Sequence, residues 1–114
     1  MIVFYDNRPL EPDNEGFVDI ERIYCFDWDS FDNPLFDLLM ARCAELPEPK
    51  SRTSGLAWYS EEEDIEYGYL HASVEIPGLQ VYGTLKLNAW QEWDRTFQSL
   101  VDGLPMRDLK SPNG

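Results

Sequence analysis

Ile65-Glu-Tyr-Gly-Tyr-Leu-His-Ala-Ser-Val-Glu-Ile76 runs through Pro77-Gly78 into Leu79-Gln-Val-Tyr-Gly-Thr-Leu-Lys-Leu87. Both flanks alternate apolar with polar residues, the period of a half-buried strand, around a turn dipeptide. With Ile76 opposite Leu79, Val74 meets Val81, Ala72 meets Gly83, and Leu70 meets Leu85. That face is apolar or small throughout. The other face pairs Glu75 with Gln80, Ser73 with Tyr82, His71 with Thr84, and Tyr69 with Lys86. A one-residue slip would mix the faces, so the pattern itself selects a register. Pro-Gly suits a type II turn, which fits a two-residue hairpin poorly, so a longer loop with a bulge is also compatible. The alternation predicts that Leu70, Val74, Val81 and Leu85 lie buried beneath at least one helix.

Outward from this hairpin, Leu56 to Ser60 reads as a further strand, joined by the charged loop Glu61-Glu-Glu-Asp64. The small-residue face is expected to take in Ala57 and Gly68 as well. Trp58, Tyr67, Tyr69, His71, Tyr82 and Lys86 then share the opposite one. Phe17 to Trp28 also alternates: Val18, Ile20, Tyr24, Phe26 and Trp28 share a face, with Arg22 the exception. Ile2 to Tyr5 could pair beside it, across the turn-rich loop from Asn7 to Gly16.

Two helices complete the pattern. Asn33 can cap the first and Pro34 suits its first position, before Leu35 to Leu46 and the stop at Pro47. Its charged residues, Asp37, Arg42 and Glu45, span an arc of roughly 140°, which predicts a mostly buried helix. The second starts near Asn88, which with Gln91 resembles a capping box. Trp90, Trp93, Phe97, Leu100, Val101 and Leu104 recur at helical spacing, and Gly103 reads as the stop. The fold class is therefore α+β: an antiparallel sheet of about four to five strands with two helices packed on one face. Residues 1–104 read as a single compact domain and residues 105–114 as a flexible C-terminal tail.

Composition narrows the function. The chain of 114 residues carries 22 acids and nine bases, a net charge of −13. Residues 1–75 hold 18 acids and five bases, and residues 76–114 hold four of each. Such a charge repels nucleic acid and anionic membranes and steers the chain towards basic partners, although selection for solubility would produce it too. No apolar run approaches the ~20 residues that span a bilayer, and Met1-Ile-Val-Phe-Tyr-Asp6 lacks the basic start of a signal peptide. Cys25 and Cys43 lie in apolar stretches, where reduced buried thiols are usual. These features predict a cytoplasmic protein.

Catalytic parts are scarce. Asp27-Trp-Asp29 follows an apolar strand and resembles the first motif of haloacid dehalogenase-type phosphatases. The resemblance implies two aspartates that hold Mg²⁺ and attack phosphate. Phe31 stands where that motif has threonine or valine, and the chain is short for that fold. Asp27, Asp29 and Asp32 also lack the remaining ligand and the glycine of a calcium loop. The alternative is an Asp-rich strand-to-helix turn that caps and solvates. His71 is the only histidine, which excludes His-pair zinc sites; it could form a dyad with a cysteine or simply sit at the surface. No motif asks for a cofactor, and no catalytic or metal-binding residue is assigned.

The strongest candidate site is the hairpin tip. Glu61, Glu62, Glu63, Asp64 and Glu66 place five acids in six positions, with Trp58, Tyr67 and Tyr69 beside them. As an acidic prong they would enter a basic cleft, the aromatics supplying binding energy and the charges speed and orientation. A solvated loop beside core aromatics is the alternative. The profile matches in type, without a motif, the small acidic immunity proteins that bacteria keep against nuclease-type toxins. The expected function is thus inhibition of a basic protein partner by occlusion. The competing readings are a nucleic-acid mimic of the phage anti-defence type and a metal-dependent enzyme using Asp27, Asp29 and Asp32. A structural or accessory subunit is the remaining one. The sequence leaves the oligomeric state open.

Overall fold

The computed structural model describes residues 2–51 and 55–107. In chain order it contains β1 (Phe4–Asp6), β2 (Phe17–Tyr24), a turn of 3-10 helix (Trp28–Ser30), α1 (Asn33–Cys43) and β3 (Pro49–Lys50), followed by β4 (Leu56–Trp58), β5 (Tyr69–Glu75), β6 (Gly78–Lys86) and α2 (Leu87–Val101). The six strands form one antiparallel sheet in the order β1-β2-β6-β5-β4-β3. The fold is α+β, with one strand more than expected. The addition is β3, a two-residue pairing just after the helix stop at Pro47.

The central hairpin keeps its faces but not its register. Glu75 pairs with Gly78, so Ile76 and Pro77 make the turn, Ala72 meets Val81, and Leu70 meets Gly83. The offset from the expected pairing is even, and side chains therefore stay on their faces. Gly78 opens the strand, and only glycine fits there, because a Cβ would stand 2.1 Å from the Tyr24 carbonyl oxygen at a φ of +152°. Leu70, Val81 and Leu85 are buried as expected. Val74 is not: it is 48% exposed, at the turn end of the sheet.

One strand is reversed. Trp58 pairs with Leu70 and Ala57 with His71, so Trp58 points to the helices and Ala57 away from them. Assignment by size fails here: the helix-facing side of β4 carries the large Trp58 rather than the small Ala57, and the loop beyond it has positive φ at Tyr59 and Gly68 (73° and 109°). Trp58 packs edge-on against Trp93, with ring centres 5.0 Å apart.

The core joins Val18, Ile20, Tyr24, Leu70, Ala72, Leu79, Val81 and Leu85 of the sheet to both helices. From α2 come Trp90, Trp93, Phe97 and Val101, buried at three- and four-residue spacing. No side chain caps α2; Asn88 instead accepts the neighbouring Ala89 N–H at 2.9 Å, and the capping box does not form. The cap of α1 is Asp32, one residue before Asn33, accepting Leu35 N–H at 2.9 Å. Within α1 only Leu39 and Cys43 are buried. This helix lies against α2 at the side of the core, so its wide apolar arc is only partly covered.

Arg22, the exception on its face, is buried there by a polar network. Its guanidinium meets Asp6 of β1 at 2.8 Å and Asp94 of α2 at 3.0 Å, and lies over the Phe4 and Trp90 rings. Tyr24 donates its hydroxyl to Asp94 at 2.6 Å, and Gln98 donates to the same carboxylate. Burial opposes the charge on Arg22, but the hydrogen bonds to Asp6 and Tyr24 outweigh it and hold the guanidinium protonated.

Pro105 to Arg107, assigned by sequence to the tail, run back along the sheet end. Asp27 N–H donates to the Pro105 carbonyl, Arg107 N–H to that of Cys25, and the Arg107 side chain to that of Pro77. Residues 108–114 lie outside the described residues. Among the described residues, no helix is long and apolar enough to cross a membrane.

Candidate interaction face

Strand alternation decides what the second face of the sheet carries. Residues opposite the core positions of β2, β5 and β6 include Asp19, Glu21, Tyr69, His71, Ser73, Glu75, Gln80, Tyr82 and Thr84. The helices occupy the other side, and among the described residues no helix covers this face. Three adjoining clefts cross it. One is lined by Arg8, Glu11, Asp13, Phe17 and Asp19; the next, about 240 Å³, by Arg8, Asp19, Glu21, Tyr69 and Tyr82; the third by Glu21, Ser73, Glu75, Gln80 and Tyr82. Because neighbouring clefts share residues, they make one acidic trough, with Glu11 and Asp13 at one end and Glu75 at the other. Among the described residues that line it, the cation is Arg8.

Local structure fixes these carboxylates. Asp13 accepts the backbone N–H groups of Glu15 and Phe17, which hold its carboxyl below the usual carboxylate range. Thr84 donates to Asp19 Oδ1 at 2.9 Å, and Arg8 reaches Asp19 Oδ2 at 3.4 Å and Glu21 at 3.6 Å. Burial raises the Tyr69 hydroxyl above its ordinary value, and the negative charges of Glu63 and Asp19 raise it further.

The residues singled out from sequence are distributed unequally. Glu61, Glu62, Glu63, Asp64 and Glu66 are exposed in a loop ordered by Asp64, whose carboxylate accepts the N–H groups of Glu66 and Tyr67 at 3.0 Å. Tyr67 is 60% exposed and donates its hydroxyl to Glu48 at 2.7 Å. Tyr69 is half-buried at the trough. Trp58 is in the core and cannot be offered to a partner. Asp19, Glu21, Glu75 and Tyr82 were not singled out as site residues, although polar positions alternating with Val18, Ile20, Val74 and Val81 mark them.

The other candidates have structural surroundings. Asp32 caps α1 and Asp27 accepts the Ser30 hydroxyl at 2.8 Å. Among the described residues no three His, Cys, Asp or Glu side chains gather as a metal site. His71 is buried rather than at the surface: its Nε2 lies 3.1 Å from the Ser60 carbonyl, between Tyr69 and Tyr82. Cys25 and Cys43 are buried unbridged thiols, and burial pushes Cys43 up to about 12, far from a reactive thiolate. Comparison with protein-family models, with curated proteins and with solved structures finds no match.

Proposed function

We propose that this chain binds a basic protein and inhibits it by occlusion, as an immunity-type inhibitor of a bacterial toxin does. The observation that carries the reading is the acidic sheet face that neither helix covers, where Asp19 and Glu21 share a cleft with Tyr69 and Tyr82. A partner's cationic substrate-binding groups would find carboxylates at Asp19, Glu21 and Glu75, and Tyr69, Tyr82 and Tyr67 would give contact area at modest entropic cost. Relative to the reading from sequence, the anchor role passes from Trp58 to the tyrosines, and the prong becomes the rim of a broader face. Charge of this kind gives speed and orientation, and desolvated aromatic contacts give lifetime.

The test is co-expression with the product of the adjacent gene. The expected result is restored growth, and a one-to-one complex of the purified proteins in which the partner's activity is blocked. A stable complex that leaves the partner fully active, or no complex, overturns the proposal. Inhibition relieved by competing nucleic acid of either sequence or strandedness would still fit occlusion of a nucleic-acid-binding site.

A further inference from the structure

We propose that the trough reads arginine, that its resting occupant is the chain's own Arg8, and that a partner binds by putting its guanidinium where Arg8 lies. The inference rests on the open sheet face being the binding surface. It adds what that surface recognises and what holds it at rest.

Arg8 and Arg22 show two kinds of arginine site in one molecule. Arg22 is buried, meets Asp6 and Asp94 at 2.8 and 3.0 Å, and ties β1 to α2. Arg8 is more than half exposed, and its contacts to Asp19 and Glu21 are long, at 3.4 and 3.6 Å. Exposed pairs of that length contribute little to stability and are readily exchanged. The loop that carries Arg8 is held at its base, where Asn7 N–H donates to the Glu21 carbonyl at 2.8 Å. The side chain beyond that point can therefore leave while the backbone stays.

What Arg8 would vacate suits another guanidinium. Thr84 holds Asp19 through Oδ1, which leaves Oδ2 facing the cleft, and Glu21 stands across the strand face. Tyr69 and Tyr82 line the same cleft, and flat aromatic walls beside two carboxylates favour a planar cation over a compact ammonium. Arg8 also lines both the cleft containing Glu11 and Asp13 and the cleft containing Glu21. Its departure removes a cation from the middle of the trough, so neighbouring cations of the partner meet Glu11 and Asp13 on one side and Glu21 on the other.

The experiment titrates the isotope-labelled chain with short blocked oligoarginine and oligolysine peptides, following backbone and side-chain shifts. Oligoarginine is expected to bind more tightly than oligolysine, with shifts at Asp19, Glu21, Tyr69 and Tyr82. Arg8→Ala is expected to tighten oligoarginine binding several-fold. Arg42→Ala makes the same change in net charge on α1 and is expected to leave affinity unaltered. Asp19→Asn with Glu21→Gln is expected to abolish the preference for arginine. Equal effects of Arg8→Ala and Arg42→Ala, with shifts still in the trough, would overturn displacement of Arg8 and spare the reading of the face. Shifts confined to residues 61–66 would overturn the trough as the arginine site and spare the reading of the chain as a binder of basic proteins.

Discussion

The indole N–H of Trp58 donates to the main-chain carbonyl of Cys43 at 3.0 Å, joining β4 to the end of α1. The same indole packs edge-on against Trp93, so one side chain links the sheet to both helices. Trp58→Ala is therefore expected to cost about 3–5 kcal/mol of stability, the range for a large buried aromatic. Tyr67→Ala, at an exposed position, is expected to change stability by less than about 1 kcal/mol. Urea denaturation of the two variants checks this. Comparable losses would mean that Tyr67 is part of the core.

Buried acids set the alkaline limit. Burial pushes Cys43 up to about 12 from 9.0 and Tyr24 well above 10.0. In each case the folded chain keeps a proton that the unfolded chain releases, so stability is complete below the unfolded value and falls as pH rises past it. For Cys43 the window opens near pH 9, with a slope of about 1.4 kcal/mol per pH unit. Tyr24 steepens the fall above its ordinary value. Denaturation midpoints are expected to drop from about pH 9 upward, and less steeply in Cys43→Ala. Midpoints that stay level through that window would contradict the burial of both groups.

Much of the fold was legible because strand alternation is local. Leu70, Ala72, Val81 and Leu85 declare their face whatever the exact pairing, and Trp90, Trp93, Phe97 and Val101 do the same along α2. Legibility failed where a conclusion had to cross irregular backbone. Trp58, grouped by type with the opposite-face aromatics, faces the helices across an irregular loop, and the hairpin turns at Ile76-Pro77 with Gly78 already paired to Glu75. The site was half legible for a related reason. A run such as Glu61 to Asp64 is visible along the chain. Asp19, Glu21 and Glu75 come together only when β2, β6 and β5 lie side by side, which no local pattern reveals.

The Arg22 network is expected to behave as a buried charge with two partners. Asp94→Asn removes one of the two carboxylates paired with the guanidinium, leaving Asp6 and the Tyr24 hydroxyl, and weakens the acceptor of that hydroxyl. A loss of about 3 kcal/mol is expected, near the lower end for breaking a buried pair. Arg22→Met, which strands the Asp6 and Asp94 carboxylates without a cation, is expected to cost more than Asp94→Asn. Thermal unfolding of both variants decides it. The reverse order would show that both carboxylates regain water once the guanidinium is gone.

Gly83 pairs with Ile20 on one side and Leu70 on the other, in the middle of the sheet. A Cβ there would stand 2.2 Å from the Tyr69 carbonyl oxygen, at a φ of +157°. Gly83→Ala is expected to cost more than about 2 kcal/mol, because neither backbone can yield without breaking the ladder. A variant of unchanged stability would mean that β5 and β6 separate at this point.

Binding of a basic partner on the open sheet face is tested most directly by the association rate at low and physiological salt. The comparison is between the unaltered chain and Asp19→Asn/Glu21→Gln/Glu75→Gln, each mixed with the partner protein whose activity the chain blocks. Steering by these carboxylates predicts a rate that falls about tenfold or more as salt rises, because charges are screened beyond roughly 8–10 Å. The triple variant should associate slowly at low salt and respond little to added salt. If it associates as fast as the unaltered chain, with the same salt dependence, the partner does not approach this face and the account is wrong.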